Sequence, residues 1–219
     1  MRQRHSYLED TYRFTAETQV IDAGDGEQGS WVTLAENIFH PQGGGQPSDI
    51  GTVNGAEAGP FRVLDGDVPV VRLACGEKFE VGTDVTSAVD PELRRRHAAL
   101  HTCGHVVDGF IRATGLKHKV SNHFPGQARI EFELGDTKPD LDRLAASVEE
   151  STRAAIESNR KVFATDRGDQ RIITVDGLGE DPCGGTHVTS LSLLTGFSLR
   201  SVKTKGGILK VGYTVDHVE

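Results

Sequence analysis

Cysteine is scarce in this chain of 219 residues: Cys75, Cys103 and Cys183 are the whole set. An odd, sparse trio without framework spacing argues against a disulfide scaffold and for a reducing compartment. No apolar run reaches membrane-spanning length, and the first residues carry no signal-peptide-like apolar core. These absences predict a soluble, cytoplasmic protein without a membrane partner. A basic excess is also missing. The formal net charge is −8, which by itself disfavours a nucleic-acid partner. The deficit is local, however. Residues 1–90 hold 6 Lys+Arg against 15 Asp+Glu, whereas residues 91–219 hold 18 against 17. Two basic clusters stand in the second part, Arg94-Arg95-Arg96 and Lys203 to Lys210. Taken alone, each reads as a solvated face. Taken together, Arg94, Arg95, Arg96, Lys203 and Lys205 are candidate phosphate contacts.

Internal repeats and low-complexity segments are absent as well. What is present in residues 1–88 is a series of short alternating stretches separated by Gly, Asp and Pro. Strands are expected over 11–22, Trp31–Phe39, Gly51–Val53, Phe61–Leu64, Val68–Leu73 and Lys78–Val81, which suggests a small β-barrel-like domain. Within it lies Phe39-His40-Pro41-Gln42-Gly43-Gly44-Gly45-Gln46-Pro47. Three glycines let the backbone approach another surface closely. With no Lys-Ser/Thr behind them they are not a phosphate-binding P-loop, and alone they read as a structural turn.

A domain boundary is expected near Val85–Asp90. Asp90-Pro91-Glu92 is a helix start: a capping carboxylate, a proline suited to the first turn and an acid that complements the dipole. The helix is expected to run to Thr114-Gly115. Strands are expected at Val120–Phe124 and Gln127–Glu133, then a second helix opened by Lys138-Pro139-Asp140. Strands at Lys161–Thr165 and Arg171–Val175 follow, then a glycine-rich loop over 176–186. Leu194 to Thr204 and Ile208 to Val215 close the chain as a hairpin. Residues 89–219 therefore read as an α+β domain with two long helices on an antiparallel sheet.

The chemistry concentrates in two short motifs. His101 and His105 are four residues apart in the first helix, so both imidazoles share one face. Gly104 between them costs helix stability and leaves room for another element to press in. Some eighty residues later come Cys183 and His187 in Asp181-Pro182-Cys183-Gly184-Gly185-Thr186-His187. Three imidazoles and one thiolate suit zinc, one ion per chain. Filled by all four, the site is structural; with an exchangeable position it can activate water. Thr102 follows His101 where zinc peptidases of the His-Glu-x-x-His type carry glutamate, which argues against a peptidase. Cys103 points away from both histidines and reads as a core thiol.

Gly43-Gly44-Gly45-Gln46-Pro47, His101-x-x-x-His105 and Cys183-Gly184-Gly185-Thr186-His187, in that order, resemble the editing region of alanyl-tRNA synthetases. The resemblance extends over nearly the whole chain and is strongest to the free-standing AlaX-type editing proteins of medium length. It implies hydrolysis of mischarged tRNA(Ala), chiefly the seryl and also the glycyl ester. It implies zinc held by His101, His105, Cys183 and His187, with Gly43, Gly44, Gly45 and Gln46 beside the active site. Thr186 is then a candidate contact for a ligand or the seryl hydroxyl, and backbone N–H groups near Gly184–Thr186 are candidate oxyanion donors. Thr102-Cys103-Gly104 departs from the bulkier residues usual in the synthetases, which bears on pocket size. A non-catalytic tRNA-binding module with a structural zinc is the alternative.

Overall fold

The computed structural model describes residues 2–26, 29–168 and 170–218. They form a mixed α/β protein, mostly strands, with two α-helices and antiparallel sheets. The chain divides into two compact units, residues 1–43 with 47–95 and residues 44–46 with 96–219.

The first unit contains β1 (Arg4–His5), β2 (Thr15–Gly26), β3 (Gly29–Leu34), β4 (Glu36–Asn37), β5 (Gly51–Val53), β6 (Ala56–Asp65), β7 (Val68–Cys75) and β8 (Asp84–Val89). Strands β2-β3-β7-β6-β5-β8 close into a barrel, each neighbouring pair antiparallel. Strand β1 pairs in parallel with β4. The barrel interior follows the period-two rule. In β7, Val71, Leu73 and Cys75 are buried; in β8, Val85, Ser87 and Val89 are buried while Asp84 and Thr86 face solvent. Val20, Val32, Leu34, Ile38, Phe39 and Val53 complete the core.

Two expectations shift here. Lys78–Val81 is a turn-rich connection, and the strand comes later, at Asp84–Val89. Its inward Ser87 hides the apolar alternation, because its hydroxyl is satisfied by donating to the Ala16 carbonyl at 3.3 Å. The strand expected from residue 11 is β2 and begins at Thr15, and the Thr11 carbonyl is occupied by a buried guanidinium. That guanidinium is Arg94, 0% exposed. Its Nε donates to the Asp49 carboxylate at 3.0 Å, Nη1 to the Thr11 carbonyl at 3.0 Å and Nη2 to the Ile38 carbonyl at 2.6 Å. Arg94 is therefore a core residue with its donors satisfied, not a surface phosphate contact.

Helix α1 (Pro91–Arg112) starts where the capping pattern predicts, with Asp90 Oδ1 accepting from the N–H groups of Glu92 (2.9 Å) and Leu93 (3.0 Å). The second unit continues with β9 (Lys117–Asn122), β10 (Arg129–Glu133), α2 (Leu141–Glu157), β11 (Val162–Arg167), β12 (Gln170–Val175), β13 (Gly179–Pro182), β14 (Leu194–Lys205) and β15 (Ile208–His217). Four strands form an antiparallel sheet in the order β14-β15-β10-β9, and β11-β12-β13 form a second one. Strand β13 lies within the segment expected to be a loop. Ala99, Cys103, Val106, Val107 and Ile111 of α1 share one core with Ile130 and Phe132 of β10, Leu209 and Val211 of β15, and Val148 and Ala155 of α2. Among the described residues, no helix is long and apolar enough to cross a membrane.

Removing one partner of a buried ion pair strands the other charge. Arg94→Ala is expected to cost about 3–5 kcal/mol in urea unfolding. Arg96→Ala, whose partner Asp216 is 3.8 Å away at the surface, should stay within about 0.5 kcal/mol. Equal effects of the two changes would contradict the burial argument. A second test concerns His40, buried with its Nδ1 3.3 Å from the Pro47 carbonyl. Burial lowers its pKa to about 4, against about 6.5 in an unfolded chain. The unfolded state therefore binds a proton that the fold refuses. Stability held by His40 is complete above about pH 6.5 and drains as pH falls towards 4, by roughly 3 kcal/mol. His40→Gln should flatten that part of the stability–pH curve; an unchanged slope would exclude His40 as its source.

Candidate metal centre

The second unit brings the two expected pairs together. His101, His105, Cys183 and His187 each offer one donor atom, and these atoms all lie within 4.8 Å of one another. Cys183 Sγ is 3.4 Å from His101 Nε2 and 3.3 Å from His187 Nε2. Tetrahedral zinc with bonds near 2.3 Å to sulfur and 2.0–2.1 Å to nitrogen spaces its ligands roughly 3.4–3.6 Å apart, and these two separations are close to that spacing. The His101 and His105 rings are stacked at 5.2 Å, one helical turn apart, and His187 lies 4.5 Å and 5.0 Å from them.

Each imidazole is oriented from behind. Gln46 Oε1 accepts from the Thr186 backbone N–H at 3.0 Å, and Gln46 Nε2 donates to Thr186 Oγ1 at 2.9 Å. Because a backbone N–H can only donate, the amide oxygen is the atom that also faces His101 Nδ1, 2.7 Å away. His101 Nδ1 therefore carries the hydrogen, and Nε2 is left with a lone pair. His105 Nδ1 faces the Asp181 carboxylate at 3.4 Å, and His187 Nδ1 faces Thr102 Oγ1 at 3.2 Å. Outward Nδ1–H bonds of this kind fix the tautomer that a metal requires. The loop is strapped by Arg171, whose Nη1 donates to the carbonyls of Cys183 and Gly185, both at 2.9 Å.

The electrostatics suit a cation. Burial opposes charge on His105, but the Asp181 carboxylate and Cys183 outweigh it and raise its pKa to about 9. Burial likewise opposes the Cys183 thiolate, yet His105 and the Gly185 N–H bring its pKa below the usual thiol value. Cys103 is fully buried and its thiol is pushed up, which leaves it inert as a core residue.

A cavity of about 540 Å³ opens beside three of the four donor residues, His101, His105 and Cys183, within the range of small-molecule sites. His101, His105, His123 and Cys183 border it, with Gly44 and Gly45 on one side and Asp108, Arg112, His118 and Lys119 further out. Three of the outer groups, Asp108, Arg112 and His118, form a chain that ends on Asp181. His118 Nδ1 and Asp108 Oδ1 are 2.7 Å apart, Arg112 Nε lies 2.6 Å from Asp108 Oδ2, and Arg112 Nη2 donates to Asp181 at 2.7 Å.

Other sequence candidates fall elsewhere. Thr186 is fully buried and spent on Gln46, so it does not line the cavity. The Thr186 N–H is taken by Gln46, and the Gly185 N–H lies 3.4 Å from Cys183 Sγ; neither is a free oxyanion donor. Gly43 belongs to the first unit, beside the Arg62 guanidinium. Arg95 lies over the Phe14 ring at 5.0 Å. Arg96, Lys203 and Lys205 are exposed. The sequence reading did not single out His123, Tyr213 or Arg171; each acts through a partner distant in the chain. Asp181 was visible only as part of the cysteine motif.

Three imidazoles and a thiol converging beside a cavity make a donor set that could hold a single metal ion. The chain that carries it is a relative of AlaX-type alanyl-tRNA editing proteins and of one segment of alanine–tRNA ligases. It is 28% identical over 194 residues to Alanyl-tRNA editing protein AlaX-M of Pyrococcus horikoshii, covering 86% of each chain. It is 24% identical to the AlaX-M protein of Methanosarcina barkeri, covering 91% of this chain and 93% of that one. An alanine–tRNA ligase of Rubrobacter xylanophilus is 28% identical over 90% of this chain, which spans only 25% of the ligase. No family model matches the chain.

Gly185 tests the geometry. A Cβ there would sit 2.2 Å from His101 Cε1 and 2.8 Å from Gln46 Oε1, whereas one at Gly184 meets nothing within 4 Å. Gly185→Ala is expected to abolish stoichiometric metal binding, measured by elemental analysis after dialysis, and Gly184→Ala to retain it. The reverse order would contradict the site as described.

Proposed function

We propose that this protein hydrolyses the ester of tRNA(Ala) mischarged with serine, and also with glycine, as a zinc-dependent deacylase. The observation that carries the reading is the meeting of His101, His105, Cys183 and His187 beside a cavity, in a relative of proteins named for alanyl-tRNA editing. One zinc per chain would be held by three Nε2 atoms and the Cys183 thiolate, supplying fixed positive charge beside the scissile ester.

The chain's own residues do the rest. Gln46 and Asp181 hold His101 and His105 in one tautomer, Thr102 occupies the Nδ1 side of His187, and Thr186 locks Gln46. The cavity volume suits an aminoacylated terminal ribose. Arg112 and Lys119 at its outer side offer cationic groups to the RNA backbone, and the exposed Arg96, Lys203 and Lys205 are further phosphate contacts. Polar lining matters for serine, because an apolar pocket of the right size rejects a hydroxyl only weakly.

A second reading, a tRNA-binding module with a structural zinc, draws on one feature of the site: four protein donors fill a tetrahedral shell. Deacylation separates the two. The zinc-loaded protein is expected to release serine from Ser-tRNA(Ala) at least about tenfold faster than alanine from Ala-tRNA(Ala), a margin of ~1.4 kcal/mol. Tight tRNA binding without release of either amino acid would favour the module, and equal rates would remove the editing role.

A further inference from the structure

Of the histidines that border the cavity, His123 is the one that is neither among the four metal-ligand candidates nor paired with an acid. It follows β9 and is 3% exposed. Its ring lies flat against His101, 4.4 Å between centroids at 23°. The space for it exists because position 104 is glycine: a Cβ there would fall 2.4 Å from His123 Cε1 and 2.7 Å from the Tyr213 hydroxyl. The His123 backbone N–H donates to the Gly45 carbonyl at 2.8 Å.

The ring's hydrogen is assigned by its neighbours. Tyr213 donates its hydroxyl hydrogen to the Leu100 carbonyl at 2.9 Å, so its oxygen is an acceptor towards His123 Nδ1, 2.6 Å away. His123 Nδ1 therefore carries the hydrogen. The other nitrogen, Nε2, keeps a lone pair. It has no protein partner among the described residues, is not sealed from solvent, and belongs to a ring that borders the cavity. An imidazole held in one tautomer, with an acceptor nitrogen left over on a ring that borders a substrate-sized space, is more than packing requires.

We propose that His123 Nε2 is the acceptor that holds the hydrolytic water, with Tyr213 as the positioning residue that keeps its lone pair towards the cavity. The inference rests on the deacylase reading above. Four protein donors fill a tetrahedral shell, so the attacking water needs an anchor outside it. A hydrogen bond to Nε2 leaves the water's oxygen lone pair free to point at the ester carbonyl. That oxygen adds to the carbonyl carbon, the acyl–oxygen bond to the ribose breaks, and the water's proton passes to the released ribose oxygen. The products are the free amino acid and the terminal hydroxyl of the tRNA.

The test compares zinc-loaded wild type with His123→Phe, His123→Ala and Tyr213→Phe on Ser-tRNA(Ala), with zinc content measured in each. His123→Phe should lower kcat about 100-fold or more while KM stays within about threefold. Tyr213→Phe, which keeps the ring and loses the lock, should lower kcat roughly tenfold. Added imidazole should restore part of the activity of His123→Ala, where it can enter the vacated space, and none of that of His123→Phe. Zinc content should be unchanged throughout. Near-normal kcat in His123→Phe, or activity and zinc lost together without imidazole rescue, would overturn the assignment and leave the deacylase reading intact. A wild-type protein that does not deacylate Ser-tRNA(Ala) would remove both.

Discussion

The site depends on a constraint of imidazole chemistry: a neutral ring has one hydrogen and one lone pair, and the partner of the first decides the direction of the second. Gln46 Oε1 and the Asp181 carboxylate can only accept, so each receives an Nδ1–H, from His101 and His105, and Thr102 Oγ1 occupies the Nδ1 side of His187; the Nε2 atoms are left for the side shared with Cys183. Without those outer partners the rings could flip or tautomerise, and the same four residues would not specify a tetrahedron. The Gln46 amide is the most exacting of them. It accepts from His101 and from the Thr186 N–H while donating to the Thr186 hydroxyl, so the orientation of the amide is fixed. The Tyr213 hydroxyl applies the same logic to His123.

Space is controlled as tightly as charge. Gly104 and Gly185 occupy positions where one methyl group would collide with an imidazole. Their value is in the volume they leave empty, which the His123 and His101 rings fill. Gly104 also weakens a helix that must stay regular for His101 and His105 to stack. Burial of Ala99, Cys103, Val106 and Val107 on the neighbouring face offsets that weakness.

Much of this was legible from residue types and spacing. Asp90-Pro91-Glu92 marks the start of α1 because capping is local chemistry. The two histidines share a face because a helix has a fixed period, and the cysteine–histidine loop stands out because thiolates and imidazoles are rare and selective ligands. What stayed hidden depends on partners far away in the chain. Arg94 sits in an arginine run that reads as surface, yet its charge is met by Asp49, forty-five residues earlier. Thr186 reads as a substrate contact because it lies between two ligands, yet its hydroxyl faces Gln46, 140 residues away. His123 has no spacing relation to any ligand, and only the sheet carries it to His101. Strand β8 was missed because a buried serine interrupts its apolar alternation.

The account's central claim is that four named side chains share one ion. X-ray absorption on the zinc-loaded protein tests it most directly. The claim predicts one sulfur near 2.3 Å and three nitrogens near 2.0–2.1 Å, with the sulfur lost in Cys183→Ser. A shell of light atoms alone in the unaltered protein, or a sulfur that survives that substitution, would contradict it.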